Sequence, residues 1–343
     1  MFLLWFHFLL SALFVVGAGM LIGRVSGEIG DRLGLGRAWA GAVLLSFATT
    51  LPELFSTITV TLRGETGMAV GGILGSVLFN LFIIVMVDVA DPNPIYHRLS
   101  MNHVFTGLLG CVLLAVVSLG LLFGVLADGR FREIEHIGFI GVPSIVILLF
   151  YIAGQFVLLS IARSSHQETE MKITTAFDRL SFKKLLLLYG GLSIIIITAA
   201  VNLGISAEKL SFKYNLSATF AGATLLGIVT SLPEVTNALV SARHRDFDLA
   251  IGNIFGANAF VITVLAIADL LYVKESLFFA VKASDAISSV VMANLAIVMQ
   301  GIALAALTSH SRHRVWRIGI ASVLLAILYA ISLYVSYRFT AAV

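Results

Sequence analysis

The sequence predicts an all-α polytopic membrane protein with ten transmembrane helices, arranged as two inverted five-helix repeats. Three observations carry that expectation. The chain is 59% hydrophobic and only 12% charged, about half the charged share of a soluble domain. Its apolar residues fall into runs of about 20, the length a helix needs to cross a bilayer. One stretch is also written twice. SFATTLPELFSTITVTLRGETGMAVGGILGSVLFNLFIIVMVDVA (46–90) is overlaid without a gap by GIVTSLPEVTNALVSARHRDFDLAIGNIFGANAFVITVLAIADL (227–270). Thr49 falls on Thr230, Pro52 on Pro233, Glu53 on Glu234, Gly71 on Gly252, Gly75 on Gly256 and Asp88 on Asp269. Such a repeat is the first thing to establish about a fold.

Ten candidate spans follow in order, at about 2–22, 38–62, 67–90, 102–126, 137–161, 184–204, 216–242, 248–272, 284–308 and 315–338. The polar segment 162–183 joins a first half, 1–161, to a second, 184–343. An odd number of spans per half makes the second half enter from the opposite side, the inverted arrangement of secondary transporters. With the N-terminus outside, inner loops hold fourteen Lys and Arg and outer loops eight, so both termini are expected outside. The membrane is the plasma or inner membrane. The run from Phe2 has no basic segment before it and no small-residue cleavage site after it, and reads as a retained first span. Cys111 is the sole cysteine, which excludes an intrachain disulfide. The formal charge of +3 is scattered between apolar runs, so no nucleic-acid partner is expected.

The repeated proline and glutamate carry the chemistry. Pro52 and Pro233 lack an amide hydrogen and collide with the carbonyl four residues earlier. Each must break its span and free carbonyls near Ala48 and Thr49, or Val229 and Thr230. Broken backbone at membrane depth is tolerated only inside protein or beside a watery cavity. Beside each break stands a carboxylate, which costs about 2.5–3.5 kcal/mol near a helix centre and calls for a cation, a proton or a partner. Carbonyls, hydroxyls and carboxylates are hard ligands, of which calcium takes roughly 6–8. Two close carboxylates also repel, leaving room for protons.

The remaining polar residues have blander readings. The paired glycines let helices approach. Asp88 and Asp269 lie at span ends within reach of water and are structural or interfacial. Glu65 and Asp246 are solvated turns. Asp285, Asn294, Gln300, Gln155 and Asn202 make interhelix hydrogen bonds. His97, His103 and His136 show no metal-binding spacing.

FATTLPEL with GGILGSVLFN, and IVTSLPEV with GNIFGANAF, resemble the two alpha repeats of the cation/calcium antiporter superfamily, sodium/calcium exchanger type. The pattern there is near G-T-S-x-P-E followed by G-N-x-x-G-S-N-x-x-N. The motifs cover about a quarter of the chain, and the ten-span layout extends the likeness over the rest. In that family the two glutamates bind calcium with carbonyls of the adjacent Thr/Ser pair, and sodium competes through neighbouring hydroxyls and carbonyls. The resemblance implies metal-binding roles for Thr49, Thr50, Glu53, Ser76 and Asn80 in the first half, and for Thr230, Ser231 and Glu234 in the second. A sodium site would use the Ser46 carbonyl with Thr49, Glu53 and Ser76. Its mirror would use Gly227, Thr230, Glu234 and Ala257, without the serine hydroxyl. Val261 stands where members carry a polar or acidic partner to Asn80, so potassium transport is not expected. Gly72 and Val77 replace two family asparagines, whereas Asn253 and Asn258 keep theirs, and Phe47-Ala48 replaces the leading glycine. These departures bear on sodium stoichiometry and on sodium coupling itself.

The resemblance implies a secondary active antiporter, not an enzyme, which exchanges calcium (or a similar divalent cation) for sodium and needs no cofactor. Monomers would suffice. The alternative is a calcium/proton antiporter at the same site. The first and sixth spans, long and largely featureless, would slide or rock against the motif core. An intramembrane two-carboxylate hydrolase would need a water positioned between its acids, and no Gly-x-Gly-Asp motif is present. A cation sensor would need a soluble output domain, which this sequence does not show.

Overall fold

The computed structural model describes residues 2–32, 46–91, 95–126, 136–137, 140–164, 180–310, 314–315 and 318–341. The first half comprises α1 (Phe2–Arg32), α2 (Ser46–Thr49), α3 (Leu51–Leu62), α4 (Thr66–Ala90), α5 (Asn102–Leu126) and α6 (Val142–Ser164). The second comprises α7 (Phe182–Tyr214), α8 (Ala218–Ala221), a π-helical stretch (Gly222–Leu226), α9 (Gly227–Thr230), α10 (Leu232–Arg243) and α11 (Phe247–Leu271), then α12 (Leu277–Ala280), α13 (Ala283–Thr308) and α14 (Ile320–Ala341). Eight helices (α1, α4, α5, α6, α7, α11, α13 and α14) are long and apolar enough to cross a bilayer. The chain from α8 to α10 makes a ninth such path, bent by 42° at its break. Of the predicted second span, residues 38–45 lie outside the described residues, and the part from Ser46 is likewise broken, at Thr50. Residues 165–179 of the joint also lie outside them.

The sequence repeat reappears in the folding pattern. The bounds of α2, α3 and α4 become those of α9, α10 and α11 on the same shift that overlays the two copies. Each half also holds a two-residue-strand hairpin that the apolar pattern did not reveal. In β1–β2, His136 faces Gly141, and in β3–β4, Arg314 faces Gly319. Each hairpin runs directly into the last long helix of its half.

Although α5 is the more apolar helix, with only 44% of its most apolar stretch buried, the core helices are α4 and α11. Their most apolar stretches are 89% and 83% buried, against 22% for α6 and 28% for α7, which keep broad apolar faces outward. The close approach of α4 to the π-helical stretch depends on glycine. A Cβ at Gly71 would run into the backbone of Thr219, and one at Gly75 into that of Ala223. Around this core, α1 packs along α7, and α13 along α5. The first pair is antiparallel. Trp5 Nε1 donates to Tyr214 Oη at 3.0 Å, and Arg32 Nη1 donates to the Leu180 carbonyl at 2.8 Å. Both helices outrun their predicted spans, because Arg24, Glu28 and Arg32 on α1 and Glu208, Lys209 and Lys213 on α7 end the apolar run without ending the helix.

The long-range contacts gather at two ends of the bundle. At one, Arg63 pairs with Glu208, Thr66 Oγ1 donates to the Ala280 carbonyl at 3.0 Å, and Thr219 Oγ1 donates to Asp285 at 2.8 Å. At the other, the Ser100 amide and His103 Nε2 meet Asp248 Oδ1 at 2.8 and 2.7 Å. Glu65 lies at the first end, half-buried rather than solvated, and burial and the charge of Glu208 push its carboxyl above the usual range. Glu208 in turn holds the Arg63 guanidinium up. Asp246 caps α11, accepting from the Leu249 amide at 3.2 Å.

Asp88 and Asp269 are fully buried, which corrects the expectation that water reaches them. Asp88 accepts from the Ile95 amide (3.1 Å) and from the Gly319 amide of the second half (2.8 Å). Asp269 accepts from Leu277, and from the Gly141 amide (2.9 Å) and the Ser144 hydroxyl (2.6 Å) of the first half. Each acid thus holds the hairpin of the opposite half. Asn294 and Gln300 do bridge helices, to Ser118 Oγ and to the Gly107 carbonyl, whereas Asn202 bonds back within α7 to Thr198.

Overpacking a tight core contact costs about 1–3 kcal/mol. Gly71→Val is therefore expected to lower the melting temperature of the purified protein. Gly190→Ala, where no atom lies within 4 Å of the added Cβ, should hold or raise it by removing a helical glycine. Thermal unfolding in detergent checks both.

Candidate functional site

The two proline breaks have the same geometry. Thr50 and Ser231 occupy φ −86°, ψ 0° and φ −86°, ψ 4°, and a new helix starts immediately after each, with proline in its first turn. This is the bridge region of the backbone map, sparsely allowed and frequent at functional sites. The Thr50 amide still reaches the Ser46 carbonyl at 3.0 Å, and the Leu54 amide reaches the Thr50 carbonyl at 3.0 Å. Pro52, between them, supplies no proton to the carbonyl of Ala48.

Glu53 and Glu234 therefore lie in the first turns of α3 and α10. A helix N-terminus presents free amides and positive dipole potential, which favour an anion. Thr50-x-x-Glu53 and Ser231-x-x-Glu234 have the spacing of capping boxes, yet neither side chain caps its own helix. Instead the Ser231 hydroxyl crosses to the other half and donates to Glu53 Oε1 at 3.1 Å. Glu53 in turn lies close enough to Glu234 to act on its charge, with Thr49 beside Glu234 and Thr230 beside Glu53.

The remaining expected residues gather on the same interface. Ser76 Oγ donates to the Gly227 carbonyl at 3.2 Å, and Ser46 Oγ donates to the Asn253 carbonyl at 3.1 Å. One turn beyond Ser76, Asn80 Nδ2 donates to Asn258 Oδ1 at 3.1 Å. The Ser46 carbonyl, the implied sodium ligand, already accepts the Thr50 amide and the Thr49 hydroxyl (3.3 Å). Thr230 Oγ1 donates to the Leu226 carbonyl at 2.9 Å. Asn253 and Asn258 complete the polar set. They are the two asparagines that keep the family pattern, and their counterparts in the first half are Gly72 and Val77.

What distinguishes this cluster is missing donors. Glu53 Oε2, both oxygens of Glu234 and Asn80 Oδ1 are buried and accept no hydrogen bond, and Thr50 Oγ1 is likewise unpaired. Buried polar atoms are nearly always satisfied, so the unsatisfied oxygens of these two carboxylates make this the candidate cation site. Among the described residues no three His, Cys, Asp or Glu side chains form a metal cluster. A cation here would meet two carboxylates, with hydroxyl, amide and carbonyl oxygens making up the shell.

Comparison with known proteins shows the family. The sodium/calcium exchanger protein family matches residues 3–161 and 184–338, both halves of the chain. The chain belongs to that family. It is a multi-pass membrane protein of a transporter family, and its fold is all-helical apart from the two small hairpins. Inner membrane protein YrbG of Escherichia coli (strain K12) is 27% identical over 231 residues, 66% of this chain and 66% of YrbG, so the match spans just under two thirds of that relative. Solved structures share the fold. The H+/Ca2+ exchanger CAX superposes with a TM-score of 0.68 at 14% identity, over 99% of this chain and 85% of its own. The sodium-calcium exchanger NCX_Mj soaked with 100 mM Na+ and 10 mM Sr2+ gives 0.60 at 20% identity, over 97% and 99%. The family's neighbours thus include exchangers of both coupling types.

Hydrogen bonds to charged groups contribute about 1.5–3 kcal/mol. Ser231→Ala is expected to destabilise the divalent-free protein by an amount in that range. Ser193→Ala removes a bond of similar length within α7 (Ser193 Oγ to Tyr189 O, 2.9 Å) and should cost less. Denaturation in detergent containing a chelator checks the difference.

Proposed function

We propose that the protein is a secondary active antiporter. It exchanges calcium, or a divalent cation of similar hardness, for sodium by alternating access at the Glu53–Glu234 pair. The single observation that carries this reading is that three of the four carboxylate oxygens, buried at matched helix breaks, accept no hydrogen bond. Thr49, Thr50, Ser76 and Asn80, with Thr230 and Ser231, complete the shell, and Ser46 supplies a further sodium oxygen.

The accompanying architecture is ten spans in two inverted halves. Two features support it. α1 and α7, the first helices of the two halves, run antiparallel. Repeat mates also sit at opposite ends of the bundle: the Glu65 turn meets Ala280 and Asp285, whereas the equivalent turn before α11 meets Ser100 and His103. The excess of inner Lys and Arg puts both termini outside, in a plasma or inner membrane. The α1–α7 pair is the moving part. Gly19 of α1 lies directly on Pro233, close enough that a Cβ there would fall about 2.5 Å from the ring, and Ile22 and Val25 pack with Leu51 at the other break. A shift of α1 therefore reaches both breaks at once.

A second reading, protons in place of sodium, has its own observation. Ala257, Val261 and Val77 are all fully buried and bring no oxygen to the positions where the site's symmetry places them. The same carboxylates, emptied of calcium, are the natural proton carriers.

Radioactive calcium uptake into proteoliposomes, with sodium, proton and potassium gradients imposed separately, decides between them. Uptake driven by sodium alone is expected. Uptake that follows only the proton gradient would replace that reading with the second. Glu53→Gln and Glu234→Gln should remain folded and take up calcium no faster than empty vesicles.

Binding supplies an independent readout, because a ligand at a hundred times its Kd stabilises the folded state by about 2.7 kcal/mol. Calcium is expected to raise the melting temperature of the unaltered protein and to leave that of both Gln variants unmoved.

A further inference from the structure

Each of the two helices that start at a break carries a polar stripe that neither the repeat nor the carboxylate site accounts for. On α3, Thr57 and Thr61 follow Glu53 at steps of four. On α10, Asn237 and Ser241 follow Glu234 at steps of three and four. Residues so spaced share one helix face. At 1.5 Å per residue the stripes reach about 12 Å and about 10 Å from their glutamates, a large part of the way from the middle of a hydrocarbon layer about 30 Å thick to its edge. They run to opposite ends, since α3 leads into the Glu65 turn and α10 into the turn at Asp246.

The stripes are not inherited copies of each other. Thr57 and Thr61 fall on Ala238 and Ala242 in the second half, while Asn237 and Ser241 fall on Ser56 and Val60 in the first. Both halves keep a polar line to the end of the helix at different positions. Nor does local bonding explain Thr61 and Asn237. A threonine inside a helix commonly returns its hydroxyl to the carbonyl four residues back. Thr59 does this to Phe55 at 2.6 Å, and Thr236 to Leu232 at 3.2 Å, on these same two helices. Thr61 does not: it is completely buried, and its Oγ1 has no partner. Asn237 Nδ2 is also buried and unpaired. Ser241 is 8% exposed and Thr57 3%.

We propose that Thr57 and Thr61 line one hydrated approach to the carboxylate pair, from the Glu65 end, and that Asn237 and Ser241 line a second, from the Asp246 end. The proposal rests on the antiporter reading for its purpose, though not for its labelling test. Water satisfies the unpaired hydroxyl and amide, and a divalent cation entering from either side keeps part of its hydration along the stripe. Two approaches, one per half, are what a single central site needs if it is to open to each side in turn.

The experiment uses the full chain with Cys111→Ala as background and a membrane-impermeant methanethiosulfonate as probe. Glu275→Cys and His244→Cys, exposed at the two ends, define which side the probe reaches. Thr61→Cys is expected to react only from the side of Glu275→Cys, and Ser241→Cys only from the side of His244→Cys. Reaction of neither, or of both from one side, would overturn the proposal. Should a cysteine variant not fold, Thr61→Val and Ser241→Ala supply the answer. Each is expected to raise the apparent KM for calcium several-fold on its own side and leave the opposite side unchanged, and equal effects on both sides would overturn the proposal. Sided labelling in a protein that exchanges no cation would sink the antiporter reading and leave the two approaches standing.

Discussion

Two carboxylates share a buried interior, and no described side chain of opposite charge pairs with either. That arrangement is the constraint to which the rest of the molecule answers. A charge at the centre of a bilayer costs about 2.5–3.5 kcal/mol on insertion scales, and mutual repulsion adds to the cost for a pair. The fold offsets this by position. At each proline a helix restarts two residues before the glutamate, at Leu51 and Leu232, so both carboxylates sit at helix N-termini where free amides and the macrodipole favour negative charge. In the proposed function, the remaining imbalance is what a cation removes on entering. A site that is poorly satisfied when empty and well satisfied when filled suits a carrier, because it binds its cargo without needing a separate device to create affinity.

The surroundings divide into a stiff part and a part free to slide. α4, buried on nearly every face, carries Gly71 and Gly75 so close to Thr219 of α8 and Ala223 of the π-helical stretch that a single added methyl group would strike backbone. Cores at this density do not deform by small continuous amounts. α1 and α7 differ in kind: large parts of their surfaces face outward, and their mutual packing is joined at each end by one polar contact. Motion that exposes the carboxylates to alternate sides is far easier to place at that outer pair than between the central helices.

Much of this was legible in the residues. The matched Pro-Glu pairs mark both breaks, because proline acts on its own backbone and needs no tertiary information. The central helices do not declare themselves by apolarity, which α5 and α6 share while facing outward. Other features were hidden for definable reasons. The two hairpins are only two residues per strand and too short to show alternation. The extra turns of α1 and α7 lie past charged residues that end a hydropathy run but not a helix. Asp88 and Asp269 looked wet because they lie near span ends, and only distant chain, folded back over them, makes them dry. The crossing of Ser231 to Glu53 contradicts the local capping-box spacing, since a partner from the other half outcompetes the helix's own amide.

The grip of Asp88 on Gly319 spans 231 residues of chain. While the polypeptide is being threaded into the membrane, that acid has only the Ile95 amide to hold, and its second partner does not exist until the last hairpin has been made. The reciprocal grip of Asp269 on Gly141 closes as soon as the second half arrives, since its partner is already waiting. Closure of that hairpin is therefore registered at one spot, and a chain that ended before Gly319 would leave the acid without its second partner.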